Sequence, residues 1–354
     1  MPARFRSDPG FVCACSRVLD SRVVVSLLFS LVVAAELWAA TGGPLQIPLG
    51  LRVLPVPADN PLSVEILRLG KQLFFDQRLS RDNTVSCATC HTPSKGWSNG
   101  QRVATGVDGR VGTRSVPTLI NAGYQAHFFW DGRLGSLEAQ VRGPIENPNE
   151  MGLPMEQLVS RMNEIVGYRQ QFQEIFGGEA TPERIAQALA SFVRTILSGD
   201  APYDRFRAGD LAALSPAAQR GHDIFFFRAN CAACHRGPNF TDGQFHNLGI
   251  GMDQAEPDLG RFVVTQIELD RGAFKTPTLR EIARTAPYMH DGRFKTLEEV
   301  VDFYSDGGLM TPNKAGLINV LLLSDQEKSD LVVFLKEGLS SKLYPNIALP
   351  KLPQ

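Results

Sequence analysis

Apolar positions along this chain recur at helical spacing, and sustained period-two alternation is missing. Leu69, Leu73, Phe74 and Phe75 lie on one such stretch, and Ile224, Phe225 and Phe226 close another. Thr181-Pro182 opens an amphipathic helix predicted to run through Leu197 and to stop near Gly199; Ser215-Pro216 opens the helix that leads to Phe226. Thr296 with Glu299, and Ser324 with Glu327, have capping-box spacing. Leu297, Val300, Val301 and Tyr304 mark one apolar stripe. The pattern predicts a mainly α fold with long loops.

One apolar run has a different character. Arg4, Arg6, Arg17 and Arg22 precede the 13 residues Val23–Ala35, which end in small side chains. A basic segment, a short apolar core and a small-residue end make an export signal over residues 1–40. Thirteen residues fall short of the roughly 20 that span a bilayer. Glu36 and Trp38 blur the cleavage site, so an uncleaved membrane anchor stays open as the alternative. Either way the folded part is expected in the periplasm, and Cys13 and Cys15 fall in the signal.

Composition narrows the picture in two ways. At 43% hydrophobic and 21% charged residues the chain is foldable, which excludes long disorder. Thirty-six Lys+Arg against 37 Asp+Glu leave a net charge of −1, which gives no support to nucleic-acid binding. A length of 354 residues suits two domains, with a boundary expected around Gly199–Asp210 and units at 41–205 and 206–354.

The remaining cysteines occur as Cys87-Ala88-Thr89-Cys90-His91 and Cys231-Ala232-Ala233-Cys234-His235. Cys-x-x-Cys-His is the attachment signature of c-type haem. Two thiols three residues apart share one side of a helical turn, where both can add to haem vinyl groups, and the adjacent imidazole reaches the iron. Disulfides, a four-Cys zinc site or thioredoxin-like pairs are the alternatives. A zinc site does not need a His after both pairs, and a redox pair would sit in a βαβ pattern. Two covalent haems are the expectation.

The halves also repeat. Val116-Pro117-Thr118-Leu119 matches Thr276-Pro277-Thr278-Leu279, and thirteen residues after each proline comes Trp130-Asp131-Gly132-Arg133 or His290-Asp291-Gly292-Arg293. The offset of 160 continues through Ser136-Leu137-Glu138 and Thr296-Leu297-Glu298. The expected fold is therefore two cytochrome c-like haem domains related by internal duplication.

The repeat exposes an asymmetry. Tyr304 corresponds to Pro144. A tyrosinate can ligate haem iron and a prolyl ring cannot, although the pattern alone favours reading Tyr304 as a core residue on its stripe. An open haem that cleaves peroxide needs a group to move a proton, and a polar neighbour helps to orient the ligand. Gln140, Glu146 and Glu150 are the nearby candidates, each also readable as a solvated side chain. Trp130 is a candidate electron relay or a core filler.

The ordered motifs resemble the bacterial di-haem cytochrome c peroxidase family, in particular its MauG-like branch. The resemblance covers about residues 58–340 and includes Phe129–Arg133, Gly143-Pro144, Glu146-Asn147-Pro148, Glu150-Met151 and Pro287–Gly292 besides the two haem motifs. It implies that His91 and His235 are proximal iron ligands and that the N-terminal haem activates peroxide. It further implies that Gln140 and Glu150, ten residues apart, line the distal pocket of that haem. Trp130 matches the tryptophan between the haems, and Tyr304 takes the position of the second axial ligand of the electron-transfer haem. A calcium ion on the backbone carbonyls of Thr285 and Pro287 is also implied, with Ser115 where an Asn is common. Dimers are frequent in the family.

Two departures stand out. Many members carry a distal His sixteen residues after the first haem-motif His, which blocks that haem until the other is reduced; here the position is Val107. His127 is the other histidine of this half that could take that role. The MauG branch has a surface Trp two residues before its second haem motif, used to oxidise a protein partner; here it is Ala229. The leading expectation is a periplasmic enzyme that reduces hydrogen peroxide with electrons from a small cytochrome c or cupredoxin. The first alternative keeps the site and oxidises Trp or Tyr of a partner protein. The second is a non-enzymatic di-haem electron carrier, which would need neither Gln140 nor Glu150.

Overall fold

The computed structural model describes residues 45–354; the expected signal over 1–40, with Cys13 and Cys15, lies outside them. Helix α1 (Val64–Phe75) starts where the Ser63 side chain accepts the amide hydrogen of Ile66, and its inward face carries Leu69 and Leu73. It crosses α2 (Pro182–Arg194) at Gly70, where a Cβ would stand 1.9 Å from the carbonyl oxygen of Ala188. Only glycine lets these backbones approach so closely. Phe74 packs around that crossing, its ring 5.2 Å from Phe192 and 5.7 Å from Trp97.

The second half is built in the same way from α3 (Pro216–Asp223), α4 (Leu297–Ser305) and α5 (Asp325–Val333). Helix α3 crosses α5 at Gly221, whose Cβ would lie 2.0 Å from the Asp330 carbonyl, and Phe225 sits 5.4 Å from Phe334. The capping boxes at Thr296–Glu299 and Ser324–Glu327 form as the sequence predicts. The described chain is helix-rich. Its sheet is a short antiparallel pair, β1 (Phe245–Asn247) and β2 (Ala273–Lys275), with Phe245 opposite Lys275.

One helix ends earlier than predicted. α2 stops at Arg194 rather than Leu197, because Thr195 bonds back to the Phe192 carbonyl through its Oγ1 and the Ile196 carbonyl accepts from Asn121 N instead of from within the helix. The buried Arg194 guanidinium pairs with Glu138 at 2.8 Å, which holds the turn.

Local backbone geometry recurs at an offset of 160. Asn121 and Glu281 have φ of 57° and 58°, Phe129 and Met289 of 64° and 73°, Gly132 and Gly292 of 66° and 65°. The turns they shape close with the bridges Phe128–Leu134 and Tyr288–Phe294. Two apolar cores result, one drawing on Ile66 to Ile196 and one on Leu214 to Leu339. Between them Ser198 is held from both sides: its carbonyl accepts from Asn121 Nδ2 at 2.8 Å and its hydroxyl donates to Glu281 Oε1 at 2.6 Å.

Candidate functional site

Each core borders a cavity that contains one of the two cysteine motifs. In the first half a helical turn at Cys87–Cys90, following Ser86, places Cys87, Cys90 and His91 on a cavity of about 570 Å³ counted to its open mouth. In the second, a tighter turn at Cys231–Ala233 places Cys231, Cys234 and His235 on a cavity of about 1910 Å³ counted to its open mouth. All four sulfurs are unpaired thiols, so neither motif is a disulfide. Burial pushes Cys87 and Cys231 up to about 12 and Cys90 to about 11, the opposite of the lowered thiol that a redox-active pair needs.

The two histidines are oriented alike. His91 Nδ1 lies 3.0 Å from the Trp97 carbonyl, and His235 Nδ1 lies 2.9 Å from the Phe240 carbonyl. Burial holds His91 down to about 4 and also lowers His235, so both rings are neutral. A neutral ring that donates from Nδ1 leaves the Nε2 lone pair free for a metal. Thiols, imidazole and an apolar cavity on one turn fit a covalently attached haem at each place. Trp97 and Phe240, which orient these rings through their carbonyls, were not singled out from the sequence; their spacing of six and five residues after the motif histidine is the signal that was there.

Gln140, Pro144 and Glu150 all line the first cavity, with His91. Burial raises the Glu150 carboxyl, opposed by the 2.6 Å hydrogen bond it accepts from Asn147 Nδ2. The loop is set from behind by Val107, whose amide donates to the Glu150 carbonyl at 2.8 Å. The Val107 side chain is fully buried and lines neither cavity, and Glu146 is exposed. His127 packs at a tilt against Phe245, 5.6 Å between ring centroids, and is not part of the first cavity wall. Met151, buried beside Glu150, does line it.

Tyr304, from the last turn of α4, lines the second cavity, and burial pushes its phenol up. Trp130 lines this cavity too, with its Nε1 donating to the Ser115 carbonyl at 2.8 Å. Thr285 and Pro287 border it, and among the described residues no donor reaches either carbonyl oxygen. Ala229 is buried at the cavity wall. Asp242 and His246 were not legible as site residues. They converge with Cys234 within 4.8 Å, and His246 is raised to about 9 by the Cys234 sulfur first and then by Asp242, 2.9 Å away. A thioether at Cys234 would leave Asp242 as its anionic partner.

A helix-rich chain with two thiol–imidazole cavities, one of them also offering an amide and a half-buried carboxyl, is a di-haem c-type cytochrome with room for enzymatic chemistry. The family profile described as "Di-haem cytochrome c peroxidase" matches residues 64–212. Over 305 residues the chain is 44% identical to the methylamine utilization protein MauG of Methylorubrum extorquens, covering 85% of each. It is 38% identical to the cytochrome-c peroxidase IdrP1 of Denitromonas iodatirespirans, covering 89% of this chain and 93% of that one. The crystal structure of a MauG-like protein associated with microbial copper homeostasis superposes with a TM-score of 0.80 at 34% identity, covering 86% of this chain and 98% of the other. The chain belongs to the di-haem cytochrome c peroxidase family. It is accordingly an oxidoreductase that acts on peroxide and carries two covalently bound haems. Among the described residues no helix is long and apolar enough to cross a membrane.

Proposed function

We propose that this protein is a periplasmic peroxidase that converts hydrogen peroxide, two protons and two electrons into two water molecules. The observation that carries this reading is the first cavity: it joins His91 to Gln140 and Glu150 and has Pro144 where the second cavity has Tyr304. Haem held by Cys87, Cys90 and His91 would supply the iron that binds peroxide and the electrons that break its O–O bond. Glu150 takes the proton from the inner oxygen and delivers it to the outer one, which leaves as water. Its burial favours that shuttle, because a raised carboxyl gives and takes a proton nearer neutral pH. The Gln140 amide donates to the bound peroxide and orients it. Cys231, Cys234 and His235 would hold the second haem, Tyr304 would offer its phenol oxygen to that iron, and Trp130 would couple the two centres.

A small redox protein of the cytochrome c or cupredoxin class supplies the electrons. The same machinery supports a second reading, oxidation of Trp or Tyr on a partner protein, which is favoured by Tyr304 and by the likeness to MauG; the buried Ala229 in place of an exposed aromatic weighs against it. Internal duplication into units 41–205 and 206–354 accounts for the recurring turns and glycine crossings. The free carbonyls of Thr285 and Pro287 support the calcium site.

Electron paramagnetic resonance of the fully ferric protein tests the central reading. One high-spin and one low-spin haem are expected. Two low-spin signals would mean that Met151 or His127 caps the first iron, which would overturn peroxide binding without prior reduction.

A further inference from the structure

The two halves touch through a reciprocal pair of backbone hydrogen bonds. Ser115 N donates to the His290 carbonyl at 2.7 Å, and Lys275 N donates to the Trp130 carbonyl at 2.8 Å. Each bond is the other shifted by 160 residues, so Ser115 and Lys275 occupy equivalent places. Their side chains do not match. Lys275 lines the second cavity, and its ammonium donates to Gln125 Oε1, a neutral acceptor, at 2.9 Å. Among the described residues no carboxylate oxygen lies within 4.0 Å of it.

Neighbouring cations are treated differently. Arg114 is bidentate on Asp258 and also meets Asp131, and His246 on β1 is held by Asp242. Lys275 alone of the lysines and arginines lines this cavity, and it has no anion there. Burial lowers it to about 8, which is the cost of a cation enclosed without a counter-charge. That cost disappears when an anion fills the gap.

We infer that Lys275, braced by Gln125, binds a carboxylate in the second cavity, namely a propionate of the haem attached at Cys231 and Cys234. The inference rests on the proposed attachment of haem at that motif. The pair anchors the propionate one backbone bond from Trp130, at the junction of the two halves. It also neutralises a negative charge beside the second iron, which favours the ferrous state there. Among the described residues the first cavity has no lysine or arginine on its wall, and Ser115, at the place equivalent to Lys275, lines the second cavity without a charge.

The test uses the exported, haem-loaded protein with Lys275→Met, Lys275→Arg and Gln125→Leu. Haem per chain and the mass of the Cys231–Cys234 peptide are measured first. Redox titration of each haem then follows, with no partner present. In Lys275→Met the second haem is expected to titrate at a more negative potential, with roughly a tenfold larger ferric-to-ferrous ratio at a fixed potential, about 59 mV for one electron. The first haem stays in place, Lys275→Arg restores the second, and Gln125→Leu moves it by less in the same direction. Unchanged second-haem potentials in Lys275→Met and Gln125→Leu, with two haems bound, would overturn the inference. An effect seen only when acetate or a partner protein is added would also overturn it, since the carboxylate would then come from outside. A wild-type peptide without haem at Cys231 and Cys234 would instead remove the reading of the cavity itself. If Lys275→Met fails to load its second haem, Gln125→Leu and Lys275→Arg decide the matter by the same titration.

Discussion

The first cavity presents Gln140, Pro144 and Glu150 around its histidine, and the second presents Tyr304, Lys275 and Trp130 around an equivalent one. The frames behind them are nearly the same: a glycine crossing, a phenylalanine four residues on, and a histidine ring aimed by a backbone carbonyl. What separates the proposed activating site from the proposed relay is thus a few side chains on a repeated backbone. A ligand-capable phenol is exchanged for a prolyl ring, and the lysine that lines the second cavity has no counterpart among the described residues on the wall of the first.

Breaking the first site should have the largest effect. Glu150→Gln keeps the shape and removes the shuttling proton, so peroxide turnover should fall by about 10²–10⁴ with haem content unchanged. Steady-state turnover with a reduced small cytochrome as donor measures it, and unaltered turnover would take Glu150 out of the mechanism. Making the second cavity resemble the first comes next. Tyr304→Phe should convert the low-spin ferric signal to high-spin, leaving the first haem's spectrum in place; a retained low-spin signal would assign the ligand elsewhere.

The common frame can be stressed as well. Gly221→Ala forces a methyl against the Asp330 carbonyl, at a cost of about 1–3 kcal/mol. Chemical denaturation should show a lower midpoint, and Gly70→Ala should do the same for the first half; an unshifted midpoint would mean that the helices separate easily. The smallest effect sharpens the electrostatics. Burial raises Glu150 while Asn147 pulls it down. As a base Glu150 must be ionised, so activity should fall as pH drops through a value above the ordinary carboxylate range. Asn147→Ala removes the downward influence and should move that acidic limb to higher pH; a limb that stays put would separate Asn147 from the titration.

The placement of individual residues shows how far local reading reaches. The glycine crossings are invisible in the sequence, because nothing near Gly70 announces that Ala188 will lie against it. Asn147 is three residues from Glu150, yet its role depends on the loop turning its amide onto the Glu150 carboxylate. Lys275 stands 150 residues from Gln125, and only the folded cavity shows that it lacks an anion. The early end of α2 has a similar origin, since Glu138 and Asn121 compete for groups that helix periodicity alone assigns to one more turn.

The amino-acid sequence by itself determined the two Cys-x-x-Cys-His turns, the offset of 160, the capping boxes and the exchange of Tyr304 for Pro144. Each is a relation between near neighbours or between matching strings at one fixed offset, which can be read without knowing the fold. Only the tertiary structure decided that Val107 and Glu146 stay out of the cavities, that Met151 borders the first, and that Lys275 faces the second uncompensated. Those outcomes depend on which distant groups share an enclosed, low-dielectric space, and packing sets that where local pattern cannot.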